Sequence, residues 1–458
     1  MLSCPPARRV FSLNPCVRRF LHVMSRAGTT IRIFRPSTHP LTPTISLRSN
    51  LCKARGTVRI EARGGYNGRA ATAARTQSPE SIARMYRRAT LPNGVRILST
   101  TMPHVRSVSM ILFFGVGSRY ESVELSGASH FIEHMLFKGS ARYPTARAIS
   151  ETIEGVGGVI DAETSKELTI FSAKIASQHF DLALNLLADM VRFPLMESAE
   201  LEKERRVIIE ELSMYRDSPQ EWVGVLGDET VWPDLPLGRE VAGTRESVGS
   251  ITRDMMECYR REHYVPGNLV LSVVGDVEHE QVLAAAQRLF GDWEPLPVPR
   301  WTPCPIPDGV PRVRLESRRT EQTNLCLYTP GIPRNDPDTY VQSVANAILG
   351  DGMSSRLFLR VREEQGLAYD VGTSPMYFHD TGAFVVSAGV EPGRVTAALR
   401  AILDELALLR REPIPADELA RAKEYIKGRT ILGLEDTHSV AWWLGNSEAL
   451  LGEVRELD

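Results

Sequence analysis

Six prolines fall within the fourteen residues from Glu294 to Pro307, in the order Glu-Pro-Leu-Pro-Val-Pro-Arg-Trp-Thr-Pro-Cys-Pro-Ile-Pro. Each fixes φ and lacks a backbone N–H, so neither a helix nor the middle of a sheet can run through them. The stretch reads as a stiff extended linker and sets a domain boundary near 295–311. On either side of it the chain follows one order, strands first and helices after, which is an α+β organisation in each half.

In the first half, residues 85–294, Pro92-Asn93-Gly94 is a turn between two strand-like runs, and 106–115 is an apolar strand rich in β-formers. A helix is expected over 126–138 and another near 144–156, then a strand, a short polar turn and a second strand between 157 and 171. A helical pattern at 201–212 leads into a mostly helical stretch that ends near 263 and is broken at Trp232–Arg239. A strand at 268–275 and a helix at 277–290 complete this half. In the second half, 312–458, strands near 312–318 and 323–330 precede helices at 336–349 and 354–364, two strands at 368–389, and helices to 452.

The chemistry is concentrated in Ser-Gly-Ala-Ser-His-Phe-Ile-Glu-His-Met-Leu-Phe-Lys, residues 126–138. Positions three and four apart share one face of a helix, so His130 and His134 can grip one metal ion with Glu133 beside them. With 10 His and 56 acidic residues in the chain, chance supplies such a His-x-x-acid-His on the order of 0.03 times. Two imidazoles suit Zn²⁺, a Lewis acid that can lower the pKa of a water to about 7, and Glu133 is then the base rather than a ligand. A third donor is needed. The helical run Leu-Glu-Lys-Glu-Arg-Arg-Val-Ile-Ile-Glu-Glu-Leu at 201–212 offers one, because Glu204 and Glu211, seven residues apart, lie on one face. One can bind metal while the other orients a ligand or water.

Composition bounds the rest. A 458-residue chain that is 43% apolar and 24% charged is globular and long enough for two or three domains. A net charge of −2 gives no general attraction to nucleic acid or to an anionic membrane surface. No apolar run reaches the roughly 20 residues of a spanning helix. The six cysteines, at 4, 16, 52, 258, 304 and 326, form no C-x-x-C pair and no framework spacing, which points to a reducing compartment and leaves a metal to His and Glu. Residues 1–84 differ from everything after them. Up to Ile60 there is no acidic residue, against ten arginines and one lysine among many Ser, Thr and Pro, the composition of an organelle transit peptide. A mitochondrial-matrix address is one reading. The other is a start set too far upstream, with Met85-Tyr-Arg-Arg-Ala-Thr-Leu-Pro-Asn-Gly as the beginning of a bacterial-type cytoplasmic protein. Either way the segment is expected to be disordered and outside the fold.

The inverted motif together with the Glu204–Glu211 helix resembles the M16 metallopeptidases, the inverzincins that include pitrilysin, insulysin and the mitochondrial processing peptidase. The resemblance covers about 88–458 and is strongest to bacterial and β-subunit-like forms. It implies two homologous α/β-sandwich halves of the M16 or LuxS-like fold enclosing a chamber, with metal only in the first. It also implies one Zn²⁺ per chain held by His130, His134 and Glu211, with Glu133 as general base and Glu204 in support; Glu210, beside Glu211, is the competing position. Gly157-Gly158-Val-Ile-Asp-Ala-Glu-Thr-Ser resembles the family stretch whose strand edge takes the substrate as an added strand, with Asp161 where Asn is frequent and Phe171 where Tyr is common. Trp232-Pro-Asp-Leu-Pro-Leu-Gly-Arg239 resembles the family's His-Pro-Leu-Gly-Arg loop. The segment from Asp351 to Tyr369 resembles the one whose Arg and Tyr face the zinc across the chamber, here Arg362 and Tyr369, which could donate to a developing oxyanion. The implied activity is that of a zinc metalloendopeptidase cleaving extended peptides or presequences, as a homodimer or a heterodimer with a related subunit. The alternative it leaves is a non-catalytic core-type or partner-dependent subunit. Relatives continue beyond the equivalent of Asp458, so the second half is expected to be truncated, leaving Trp442, Trp443, Leu444 and Leu450 exposed.

Overall fold

The computed structural model describes residues 86–307 and 312–455, together with the backbone of one short strand at 29–34. That strand is β1 (Thr29–Phe34). In the first half, β2 (Arg87–Thr90), β3 (Arg96–Thr101), β4 (Ser107–Phe114), β5 (Val159–Thr164), β6 (Thr169–Ala176) and β7 (Leu269–Gly275) form one sheet, in the order β2-β3-β7-β4-β6-β5. Helices α1 (Ala128–Leu136) and α2 (Ala146–Glu154) join β4 to β5. After β6 come α3 (Phe180–Arg192), α4 (Ser198–Asp217) and α5 (Pro219–Val231), then α6 (Arg245–Ser250), α7 (Arg253–His263) and, beyond β7, α8 (His279–Phe290).

The second half repeats this plan. Strands β8 (Val313–Ser317) and β9 (Thr323–Pro330) are followed by α9 (Thr339–Leu349) and a π-helix at Phe358–Glu364. The hairpin β10 (Ala368–Tyr377) and β11 (Gly382–Val390) comes next, then α10 (Val395–Arg411), α11 (Ala416–Gly433) and α12 (Thr437–Leu451). Its sheet runs β10-β11-β9-β1-β8. Strand for strand the two sheets correspond: β3 with β8, β4 with β9, and the β5–β6 hairpin with β10–β11. Helix α9, at the place of α1, contains no His, Asp or Glu.

In the first sheet the slot between β3 and β4 is filled by β7, parallel to β3 and antiparallel to β4. In the second sheet the matching slot is filled by β1, antiparallel to β8 and parallel to β9, so it runs the opposite way. This corrects the expectation that the whole leader lies outside the fold. An unfilled slot would leave two rows of backbone N–H and C=O unpaired, and an extended segment satisfies them largely without regard to sequence. The remainder of the leader lies outside the described residues.

Alternation along the strands gives each sheet two buried faces. On the first sheet Met110, Leu112 and Phe114 of β4 pack with α1, α3 and α8, while Ile111 and Phe113 point the other way. That second face is covered by Val440, Ala441, Leu444 and Leu450 of α12, a helix of the second half. The exchange is reciprocal: Val223 and Val231 of α5, a first-half helix, cover Cys326, Tyr328 and Val385 on the second sheet. Leu444 and Leu450 are therefore buried, and Trp443 packs against the same cluster. Exposure of these side chains, expected from the sequence, is corrected by this exchange; Trp442 stays 43% exposed. Burial on both faces is why β4 reads as a continuous apolar run instead of an alternating one.

Candidate metal centre

Helix α1 starts at Gly127, whose φ of +94° is the left-handed conformation that glycine adopts without strain. A Cβ there would fall 2.6 Å from the Ala242 carbonyl oxygen, so space also requires glycine. The buried carboxylate of Glu121 accepts from the backbone N–H groups of Gly127 and Ser129, each at 2.7 Å, supplying acceptors that the first turn lacks. Phe131, Ile132, Met135 and Leu136 anchor the helix in the core, which leaves His130, Glu133 and His134 on its other side.

Helix α4 crosses that side and brings its acidic face to it. Glu211 Oε2 lies 3.8 Å from His130 Nε2 and 3.6 Å from His134 Nε2. Donor atoms of these three residues all lie within 4.8 Å of one another. His134 Nδ1 stands 3.1 Å from Glu204 Oε2, and Lys138 Nζ donates to the other Glu204 oxygen at 2.8 Å. Tyr215, one turn beyond Glu211, donates its hydroxyl to Glu211 Oε1 at 3.0 Å. Glu210 is exposed. At about 100° per residue Glu211 returns to within about 20° of Glu204 around the helix, whereas Glu210 is about 120° away.

Burial, the neighbouring His134 charge and an opposing pull from Glu211 bring His130 down to about 4, so its ring is neutral at physiological pH. Its Nδ1 is buried without a hydrogen-bond partner. Burial raises Glu133 above the usual carboxylate range, against a hydrogen bond from Thr164 Oγ1 to Glu133 Oε2 at 2.5 Å. Burial, followed by the charge and hydrogen bond of Glu211, pushes the Tyr215 phenol up to about 12. Two imidazoles and one carboxylate converging on a small volume form a His₂Glu donor set, which suits zinc and leaves a fourth position open.

The other sequence-derived positions divide. Asp161 lies exposed on β5, the edge strand of the first sheet, and Phe171 is fully buried on β6. Arg362 stacks over the rings of Tyr369 and Phe358 at 5.0 and 4.7 Å and approaches Glu363 at 3.6 Å, and Tyr369 is 73% exposed. Among the described residues no hydrogen bond or ion pair joins Arg362 or Tyr369 to the His130–Glu211 cluster. Sequence reasoning missed Glu121, Thr164, Lys138 and Tyr215. Two of them carry a helical signal, since Lys138 is four residues after His134 and Tyr215 four after Glu211; Thr164 and Glu121 carry none.

Two family models divide the chain between them: Insulinase (Peptidase family M16) matches residues 96–245, and Peptidase M16 inactive domain matches 250–426. An uncharacterized zinc protease of Streptomyces coelicolor is 38% identical over 378 residues, 81% of this chain and 82% of that protein. The chain belongs to the M16 peptidase family. The uncharacterized zinc protease YmxG of Bacillus subtilis is 36% identical over 374 residues, 82% of this chain and 90% of that protein. The fold is shared with a Helicobacter pylori protease (TM-score 0.73, 23% identity, 80% of this chain and 89% of that one). It is shared also with a chain of the Candida albicans complex III2 (TM-score 0.67, 21% identity, 81% and 87%). The second family match begins at residue 250, yet β7 and α8 of this M16 chain pack in the first-half sheet and core.

Proposed function

We propose that this chain is a zinc-dependent metalloendopeptidase acting on extended peptides. The observation that carries the reading is the convergence of His130, His134 and Glu211 on one volume, with Glu133 on the same helix face. His130, His134 and Glu211 would hold the ion. Zinc, when bound, supplies Lewis acidity toward water and toward a peptide carbonyl.

The chain's own groups do the remainder. Neutral His130 presents a lone pair without first losing a proton. Glu204 Oε2 stands beside His134 Nδ1, where an N–H on that nitrogen would turn Nε2 toward Glu211, and Lys138 fixes Glu204 in turn. Thr164 occupies one oxygen of Glu133, which leaves Oε1 to take a proton from water and pass it to the leaving amine nitrogen. The raised pKa of Glu133 makes it a stronger base than a solvated carboxylate. Strand β5, an edge, offers backbone hydrogen bonds to a substrate strand, a mode that supplies affinity for varied sequences. Presequence-like peptides fit this mode because they are extended. A non-catalytic role of the core-subunit kind shares the fold, but it gives no account of why the donor set and the carboxylate base stand assembled.

The test is cleavage of a quenched presequence peptide by the purified full chain, with and without a chelator. Cleavage that stops with 1,10-phenanthroline and returns with added zinc is expected. No cleavage by zinc-loaded protein would overturn the reading.

A further inference from the structure

The oxygen of Glu133 that Thr164 engages is fixed from a distance. Thr164 ends β5, and the next residues turn tightly into β6, closed by Ser165 N–H on the Leu168 carbonyl at 2.7 Å and by Leu168 N–H on Ser165 Oγ at 3.1 Å. This turn is gripped on three sides. Ser118 and Arg119 donate their backbone N–H groups to the carbonyls of Ser165 and Lys166, at 3.2 and 2.9 Å. They approach so closely that a Cβ on Gly117 would fall 2.2 Å from the Ser165 oxygen. Lys166 Nζ reaches Asp228 and the carbonyls of Leu237 and Arg239 at 2.7–2.9 Å.

Glu167 supplies the third grip, and it reaches the other half of the molecule. Its side chain is 3% exposed and accepts from the fully buried Arg119 at 2.6 Å. From the second half, Arg334 donates to it at 3.1 Å and the backbone N–H of His379 at 3.0 Å. Arg119 is held in turn by Asp380 and lies 4.2 Å from the Trp301 ring. A buried charge so fully partnered fixes geometry, because moving any member leaves the others unsatisfied.

We propose that Thr164 is a positioning residue for Glu133, and that the buried Glu167 clamp, completed by Arg334 and His379 of the second half, holds Thr164 in place. The proposal rests on the hydrolase reading above. A carboxylate rotates freely about its last torsion unless something holds it. Fixing Oε2 by the threonine hydroxyl aims Oε1, and misplacement by about 1 Å can cost on the order of a hundredfold in rate. In this account the metal-free half of the protein contributes to the reaction by setting the aim of the base.

The experiment compares full-length wild type, Thr164→Val, Thr164→Ser and Glu167→Gln for zinc content, kcat and KM, with the Glu133→Gln/Thr164→Val double variant alongside. Thr164→Val is expected to lower kcat by ~10-fold or more, with KM and zinc content unchanged, while Thr164→Ser recovers most of the loss. Glu167→Gln is expected to lower kcat in the same direction with zinc retained, and it carries the test if the valine variant does not fold. The double variant should be no slower than Glu133→Gln alone. Crystals of metal-free Thr164→Val should show the Glu133 carboxylate in more than one orientation. An active wild type matched by Thr164→Val, or zinc lost from Thr164→Val, overturns the positioning role and leaves the hydrolase reading standing. An inactive zinc-loaded wild type overturns both.

Discussion

Replacing Gly227 by alanine should destabilise the protein, although alanine is the better helix former by about 1 kcal/mol. Gly227 lies inside α5, the first-half helix that covers the second sheet, and a Cβ there would fall 2.1 Å from Cε2 of Tyr328 and 2.4 Å from its hydroxyl. Tyr328 is 4% exposed, and its hydroxyl donates toward the Gly224 carbonyl at 3.3 Å and Asp228 at 3.2 Å. Overpacking of this kind costs about 1–3 kcal/mol. Weakening the tyrosine hydrogen bonds adds about 0.5–1.5 kcal/mol each. Set against the helix-propensity gain, the net loss is about 1–5 kcal/mol. Gly224 is the internal control: it lies one turn earlier in the same helix with nothing within 4 Å of its would-be Cβ. Gly224→Ala should therefore gain up to about 1 kcal/mol. Urea denaturation of both variants decides the matter by sign. A Gly227→Ala protein as stable as wild type would refute the close docking of α5 on the second sheet. Gly445 of α12 repeats the situation in the opposite direction, its would-be Cβ 2.0 Å from the Phe113 ring of the first sheet.

Glu211→Gln should lower bound zinc at least tenfold, because charge and a ligand of a three-donor set are both reduced, whereas exposed Glu210→Gln should leave it unchanged; equilibrium dialysis separates the two. Burial pushes Glu121 up to about 7 from 4.5, so the folded protein keeps a proton that the unfolded chain has released. Its contribution to stability is thus full below about pH 4.5 and declines by up to about 3 kcal/mol as pH rises through 7. The stability gap between wild type and Glu121→Gln, measured in urea at pH 5 and 7.5, should shrink by that order; a gap independent of pH would contradict it. Removing residues 1–84 empties the slot between β8 and β9, and amide exchange should accelerate in those two strands while β3 and β4, bridged by β7, stay protected.

Much of this arrangement is local and therefore legible in sequence. The strands follow from apolar runs bounded by turn residues, as at Pro92-Asn93-Gly94, and the meeting of His130, His134 and Glu211 from spacings of four and seven on two helices. What is not legible is non-local. Nothing in α12 says that Leu444 and Leu450 cover the first half's sheet, because an amphipathic helix specifies a face to bury and not the surface that covers it. The slot taken by β1 depends on backbone groups left unpaired by strands almost 300 residues away, a feature with no composition of its own. Thr164 is separated from Glu133 by 31 residues, and its meeting with that carboxylate depends on how the β5–β6 turn is gripped. Arg362 and Tyr369 lie at the other extreme. They are legible by family resemblance, yet their contacts are with each other and with Phe358 and Glu363.

Bound zinc and peptide turnover measured together in Glu133→Gln decide whether Glu133 is a base and not a ligand. One zinc per chain, as in wild type, is expected with a rate reduced at least about a hundredfold, since removing a general base forfeits about 10²–10⁴. Near-normal turnover, or loss of zinc in parallel with activity, would contradict it.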